Sequence, residues 1–134
     1  MLRSACLASG SSMAMIREIL VVDDDPVVTR MLCRVLSSYA VAVAHSGEDA
    51  IQRLSEHRFD LILCDLTMPG MTGMEFYDTV RGISSELAER VVFMTGGAFT
   101  AESHEFLSRL PNSWLEKPFD IGELRELVRS RAQA

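Results

Sequence analysis

What the 134-residue sequence lacks narrows the field first. No apolar run approaches the roughly 20 residues that a membrane-spanning helix needs, so no membrane association is expected. There is no basic excess either. Thirteen Lys and Arg stand against 19 Asp and Glu, for a formal charge of -6 and a pI near 5.0, which argues against nucleic-acid binding through a broad basic surface. Cysteine is scarce and odd in number. Cys6, Cys33 and Cys64 form no framework, and that usage fits a reducing cytoplasm. His45, His57 and His104 are scattered without metal-ligand spacing. Repeats, low-complexity tracts and internal linkers are missing after residue 16.

What is present suits one domain with a real core: 48% hydrophobic and 24% charged residues at this length. The opening stretch, "MLRSACLASGSSMAM", is the compositional outlier, small and polar. It has no continuous apolar segment of the kind a secretory signal carries, and residues 1–16 are expected to be a flexible leader or an upstream start. The domain is expected to span residues 17–132.

From there short apolar runs alternate with amphipathic segments. "EILVV", "AVAVA", "LILC", "VVFM" and "WLE" are predicted strands, and the continuous apolar character of "LILC" predicts burial on both faces. Asp25 as N-cap with Pro26 behind it opens a helix carrying Val28, Met31, Leu32, Val35 and Leu36 at the spacing of one face. Ser46 with Asp49, Thr72 with Glu75, and Asp120 with Glu123 have capping-box spacing ahead of three further helices. "AESHEFLSRL" is a shorter one, after the loop "TGGAFT". Five strands alternating with five helices imply an α/β fold, a mostly parallel sheet covered on both faces.

In such sheets ligands bind beyond the carboxyl ends of the strands. Asp23 and Asp24 follow strand one, Asp65 ends strand three, Thr95 ends strand four and Lys117 ends strand five. All fall on one edge. "LVVDDDP" also poses a physical problem, because like charges about 4 Å apart repel by roughly 4 kcal/mol even at an effective dielectric near 20. Hard carboxylate oxygens gathered there suit Mg²⁺, whose charge would offset the repulsion.

"ILVVDDDP", "FDLILCDLTMPGMTGMEF", "VVFMTGG" and "LEKPF", in that order from about Ile19 to Val128, resemble the receiver domain of two-component response regulators. The resemblance implies a flavodoxin-like (βα)5 fold with strand order 2-1-3-4-5, an order that periodicity does not give. It implies that Asp65 is the phosphoacceptor, taking a phosphoryl group from the phosphohistidine of a histidine kinase or phosphotransfer protein. It implies that Asp24, Asp65 and the backbone carbonyl of Thr67 hold Mg²⁺ (or Mn²⁺) directly, with Asp23 acting through water. Lys117 and Thr95 would bind phosphoryl oxygens, and the Lys117–Pro118 bond would be cis. Pro69 would shape the loop beside Asp65.

In the family, the threonine couples to an aromatic residue on strand five, here Trp114 where Tyr or Phe is more usual. Trp114 is thus either a moving switch residue or a plain core aromatic. The residues that tune dephosphorylation are Thr67 and Gly97; glycine offers no side chain to orient water, so slow self-dephosphorylation is expected. The face of the fourth helix, fifth strand and fifth helix is the family's usual dimer surface, and its glutamates and arginines here could serve a homodimer or a solvated surface.

Enzymatic turnover is not expected beyond self-catalysed aspartyl phosphorylation and dephosphorylation. Two alternatives stand beside this. A Mg²⁺-dependent phosphatase of the haloacid dehalogenase type would want Asp-x-Asp-x-Thr; Asp23 and Asp25 match its acids, but Val27 occupies the threonine position. A pseudo-receiver would bind partners without phosphorylation. Because the sequence ends at Ala134, soon after the last helix, the expectation is a stand-alone regulator, a phosphorelay shuttle or the receiver of a hybrid kinase.

Overall fold

A computed structural model describes residues 18–96 and 100–132. The expected leader, residues 1–16, and Gly97 lie outside the described residues. Five parallel strands, β1 (Glu18–Val22), β2 (Ala40–Ala44), β3 (Leu61–Asp65), β4 (Val91–Thr95) and β5 (Trp114–Glu116), form one sheet of order β2-β1-β3-β4-β5. The five expected helices are α1 (Pro26–Val35), α2 (Gly47–Glu56), α3 (Gly73–Ile83), α4 (Ala101–Ser108) and α5 (Ile121–Ala132).

Alternation along the strands divides the core in two. Ile19, Val21, Leu61, Leu63, Val92 and Met94 face α1 and α5, where Leu32, Leu36, Leu124 and Val128 cover them. Leu20, Val22, Ile62, Cys64, Val91 and Phe93 face the other way, against α2, α3 and α4. With both faces covered, β3 and β4 are buried at every position, as a continuous apolar run requires. The edge strands β2 and β5 are less buried. Tyr77 of α3, Phe93 of β4 and Phe106 of α4 pack ring to ring at centroid distances of 5.5 to 5.8 Å, fastening α4 to the sheet beside Thr95.

Local chemistry starts the helices where the sequence indicates. Asp25 accepts the Val27 amide at 2.9 Å with Pro26 at the first position, and Ser46 accepts the Asp49 amide at 3.0 Å. Thr72 and Glu75 form a reciprocal capping box. Each such cap stabilises its helix by about 1 kcal/mol. One element was not expected from the sequence: a single helical turn, Ser85–Ala88, capped by Ser84 accepting the Leu87 amide at 3.1 Å. Four residues are too few to display a helical period, so only the cap could have announced it.

Candidate functional site

Four of the five strands, β1, β3, β4 and β5, end by handing a polar side chain to the same edge. β1 is prolonged by the Asp23 amide donating to the Ala44 carbonyl at 3.1 Å, which holds Asp23 against β2. Its carboxylate is fully buried. One oxygen accepts the Asp25 amide at 2.9 Å, and the other accepts the Lys117 ammonium at 2.8 Å. Asp24, next along, is exposed. Asp65, the last residue of β3, is buried; its Oδ1 lies 3.5 Å from Lys117 Nζ and accepts the Thr67 amide at 3.3 Å. The Lys117 amide donates to the Thr95 carbonyl at 2.7 Å, so β4 and β5 deliver threonine and lysine side by side. The Lys117–Pro118 peptide is cis.

The sequence places Asp65 far from the adjacent Asp23 and Asp24; the strand order, with β3 beside β1, brings it to them. One carboxylate oxygen from each can be chosen so that all lie within 4.8 Å of one another. Asp25 stands outside this cluster and serves as the helix cap. Three carboxylates thus face one ammonium.

The energetics show in the titration of the groups. Burial, and then the charge of Asp23, push the Asp65 carboxyl up to about 6, against the opposing pull of Lys117 and the Thr67 amide. Burial alone would lower the Lys117 ammonium. Its hydrogen bond to Asp23 and the charges of both acids outweigh that and leave it above its ordinary value. Burial, with the charges of Asp65 and Asp23, drives the Cys64 thiol well up, so Cys64 stays a neutral packing residue whose Sγ donates to the Asp65 carbonyl at 3.4 Å.

The donor set fits a small divalent cation. Hard oxygens converge, two of the acids are buried, and the lysine leaves two negative charges uncompensated when all three acids are ionised. A second open valence lies nearby: Thr95 Oγ1 is buried and has no hydrogen-bond partner. Orphaned buried hydroxyls are uncommon, and one beside an acid cluster is suited to a ligand oxygen.

Two residues that position the site carry no chemistry. Gly73, at the start of α3, has its amide on the Leu66 carbonyl at 3.0 Å, and a Cβ there would stand 2.5 Å from the Asp65 carbonyl oxygen and 2.7 Å from Leu66 Cα. Only glycine lets the helix approach the end of β3 so closely. Gly70, in "MPGMTG", turns the same loop with φ of 76°. The glycines were visible in the sequence, but their contacts depend on the folded chain.

Trp114 is 43% exposed, so its reading as a core aromatic is corrected. Along the three residues of β5 the burial alternates, with Leu115 inward and Trp114 and Glu116 outward. The shared parity of Trp114 with a glutamate two residues on was the signal that could have shown this.

A family model described as "Response regulator receiver domain" matches residues 19–129. Among curated proteins, the response regulator MprA of Mycobacterium tuberculosis is 35% identical over 116 residues, 85% of this chain and 49% of that protein. The sensor histidine kinase RcsC of Salmonella typhi is 34% identical over 112 residues, 82% of this chain and 12% of that protein. This chain therefore spans about half of the first relative and a small part of the second. Among solved structures, a response regulator from Chloroflexus aurantiacus, described as putative, superposes with a TM-score of 0.77 at 29% identity, covering 89% of this chain and 99% of the other. The chemotaxis protein CheY4 of Vibrio cholerae gives 0.73 at 28% identity, covering 84% and 96%.

Proposed function

Because this chain belongs to the response regulator receiver family, we propose that it accepts a phosphoryl group on Asp65 from the phosphohistidine of a kinase or phosphotransfer protein. The observation that carries this is the convergence of Asp23, Asp24 and Asp65 at one sheet edge with Lys117 in contact with two of them. Asp24, Asp65 and the Thr67 carbonyl would hold Mg²⁺ or Mn²⁺ directly, and Asp23 through water. The cation would supply charge neutralisation, letting an anionic carboxylate meet an anionic phosphoryl group.

The remaining steps belong to the chain itself. An Asp65 carboxylate oxygen attacks phosphorus, the N–P bond breaks, and the donor histidine leaves as imidazole. Lys117 Nζ, held between Asp23 and Asp65, turns one donor to a phosphoryl oxygen as a compact point charge. Thr95 Oγ1, lacking a partner, donates to another. Moving Thr95 changes the packing behind it and so the face of α4, β5 and α5, where Trp114 lies; partner binding or homodimerisation there would be the output. The phosphoryl group is gained and lost by self-catalysis, without turnover of another substrate. Glycine at position 97 makes the loss slow. We place the protein in the cytoplasm; among the described residues no helix is long and apolar enough to cross a membrane.

A phosphatase of the haloacid dehalogenase type is disfavoured. Asp25, its second acid, caps α1, and Val27 at its threonine position is 63% exposed.

Intact mass after incubation with Mg²⁺ and acetyl phosphate tests the proposal. One phosphoryl group is expected on the wild type, none on Asp65→Asn, and none with chelator. An unmodified wild type would overturn it in favour of a pseudo-receiver.

A further inference from the structure

The two edges of the sheet are not built alike. β5 has three residues, carries Glu116 and runs into Lys117 and Pro118, features that discourage a further strand. β2, at the other edge, is as long as the interior strands, and its sequence "AVAVA" holds no charge, proline or glycine. All of it but Ala44 is partly exposed. A groove flanks it on each face of the sheet: one of about 580 Å³ towards α1, lined by Val43 and Cys33, and one of about 620 Å³ towards α2, lined by Ala40, Ala42 and Arg53. The direction of its backbone groups is fixed by one bond. The Ala44 carbonyl accepts the Asp23 amide at 3.1 Å, so Ala40, Ala42 and Ala44 turn their N–H and C=O to β1, and those of Val41 and Val43 face outward. Among the described residues no strand pairs with them.

We infer that a second copy of this chain pairs antiparallel along β2, joining two sheets into one across a two-fold axis at Ala42. The strand is its own complement, because "AVAVA" reads the same in both directions. About that axis Val41 meets the partner's Val43 on the α1 face, and each exchanges N–H and C=O with the other. An antiparallel hydrogen-bonded pair needs outward groups at both positions, and the parity of β2 supplies them. Ala42 meets the partner's Ala42 on the α2 face, where small side chains let the strands close. The charges agree with this. Asp49 and Arg53 stand one turn apart on α2, 3.7 Å from each other, and Arg53 borders β2. The two-fold sets α2 antiparallel to its copy, which turns Arg53 towards the partner's Asp49 and opposes the two helix dipoles. On the α1 face it turns Arg34 towards the exposed carboxylate of the partner's Asp25. Arg30 approaches its own copy, a repulsion that water screens because the side chain is exposed. An extended peptide of another protein is a poorer fit, since an uncharged alternation of alanine and valine selects no sequence so well as itself. The interface is at the opposite edge from β5, and it does not depend on phosphorylation of Asp65.

The test is sedimentation velocity with amide hydrogen exchange by NMR, on the full chain without phosphodonor, from dilute to concentrated samples. A concentration-dependent dimer is expected. The Val41 and Val43 amides should exchange about tenfold more slowly once roughly nine-tenths of the chain is paired, because exchange then proceeds through the remaining monomer. Trp114 emission should stay constant, which separates this dimer from one formed through α4, β5 and α5. Val43→Pro removes an outward N–H and leaves the bonds to β1 in place, so dimerisation should weaken by about tenfold or more while a cooperative urea transition shows that the variant is folded. If that variant does not fold, the exchange of the unaltered chain decides. A chain that is monomeric at every concentration, a dimer with unprotected Val41 and Val43 amides, a dimer that shifts Trp114 emission, or a folded Val43→Pro protein that dimerises as before would each overturn the inference.

Discussion

The two ends of the sheet use the same kinds of charged residue to opposite effect. At the amino end, Glu18 pairs with His57 across the start of β1, and the Glu18 amide donates to the Asp60 carboxylate at 3.0 Å. These groups are substantially exposed. At the carboxyl end the acids Asp23 and Asp65 are buried, Asp24 adds a third, and one lysine answers them. Water relieves the first arrangement and is largely kept from the second. The amino end is fastening, whereas the carboxyl end holds negative charge that the fold alone does not offset.

The sharpest break in this contrast should come from the backbone beneath the acids. Gly73→Ala puts a methyl group against the Asp65 carbonyl and Leu66 Cα, so the end of β3 or the start of α3 must shift. We expect a loss of about 2 kcal/mol in urea denaturation, with weakened phosphoryl uptake although no acid is altered. Unchanged stability would mean that the two elements approach less closely than described.

Smaller, and of the opposite sign, is the effect of removing charge. In chelator at pH 7.5, Asp65→Asn should raise the unfolding free energy by on the order of 1 kcal/mol. The folded carboxyl titrates at about 6, above its unfolded value near 3.8, so the folded state binds the proton more tightly. Its contribution to stability is therefore full below about 3.8 and lost as pH rises through about 6. The advantage of the asparagine variant should accordingly vanish as pH falls from 6 to 4. A gain that persists at pH 4 would assign the effect to packing.

Least of all should follow from Glu18→Gln, at the amino end. Its pair with His57 is exposed, and the amide bond to Asp60 survives, so the change should be about 0.3 kcal/mol or less and should fade in high salt. A loss above 1 kcal/mol would erase the distinction between the two ends.

Much of this was legible in the sequence because buried parallel strands are apolar throughout, so the polar residue that ends each one stands out: Asp23, Asp65 and Thr95. Lys117 follows the short edge strand β5 and stood out by its place in "LEKPF". Which strands are neighbours was not legible from periodicity, since every internal strand reads alike; the family resemblance supplied the order. The turn at Ser85–Ala88 was too short to show a period. The narrow approach at Gly73 depends on atoms from β3 and α3, which no local pattern joins. The outward face of Trp114 was encoded in its parity with Glu116, but three residues make a weak alternation.

Trp114 is the only tryptophan in the chain, and it is 43% exposed on an edge strand. The protein therefore carries an optical probe on its own β5 surface. A partner that covers this strand should shift the indole emission to the blue and shield it from acrylamide, while one that docks beside α1 should leave both unchanged. Without any attached dye, light absorbed at a single ring can distinguish which flank of the molecule is engaged.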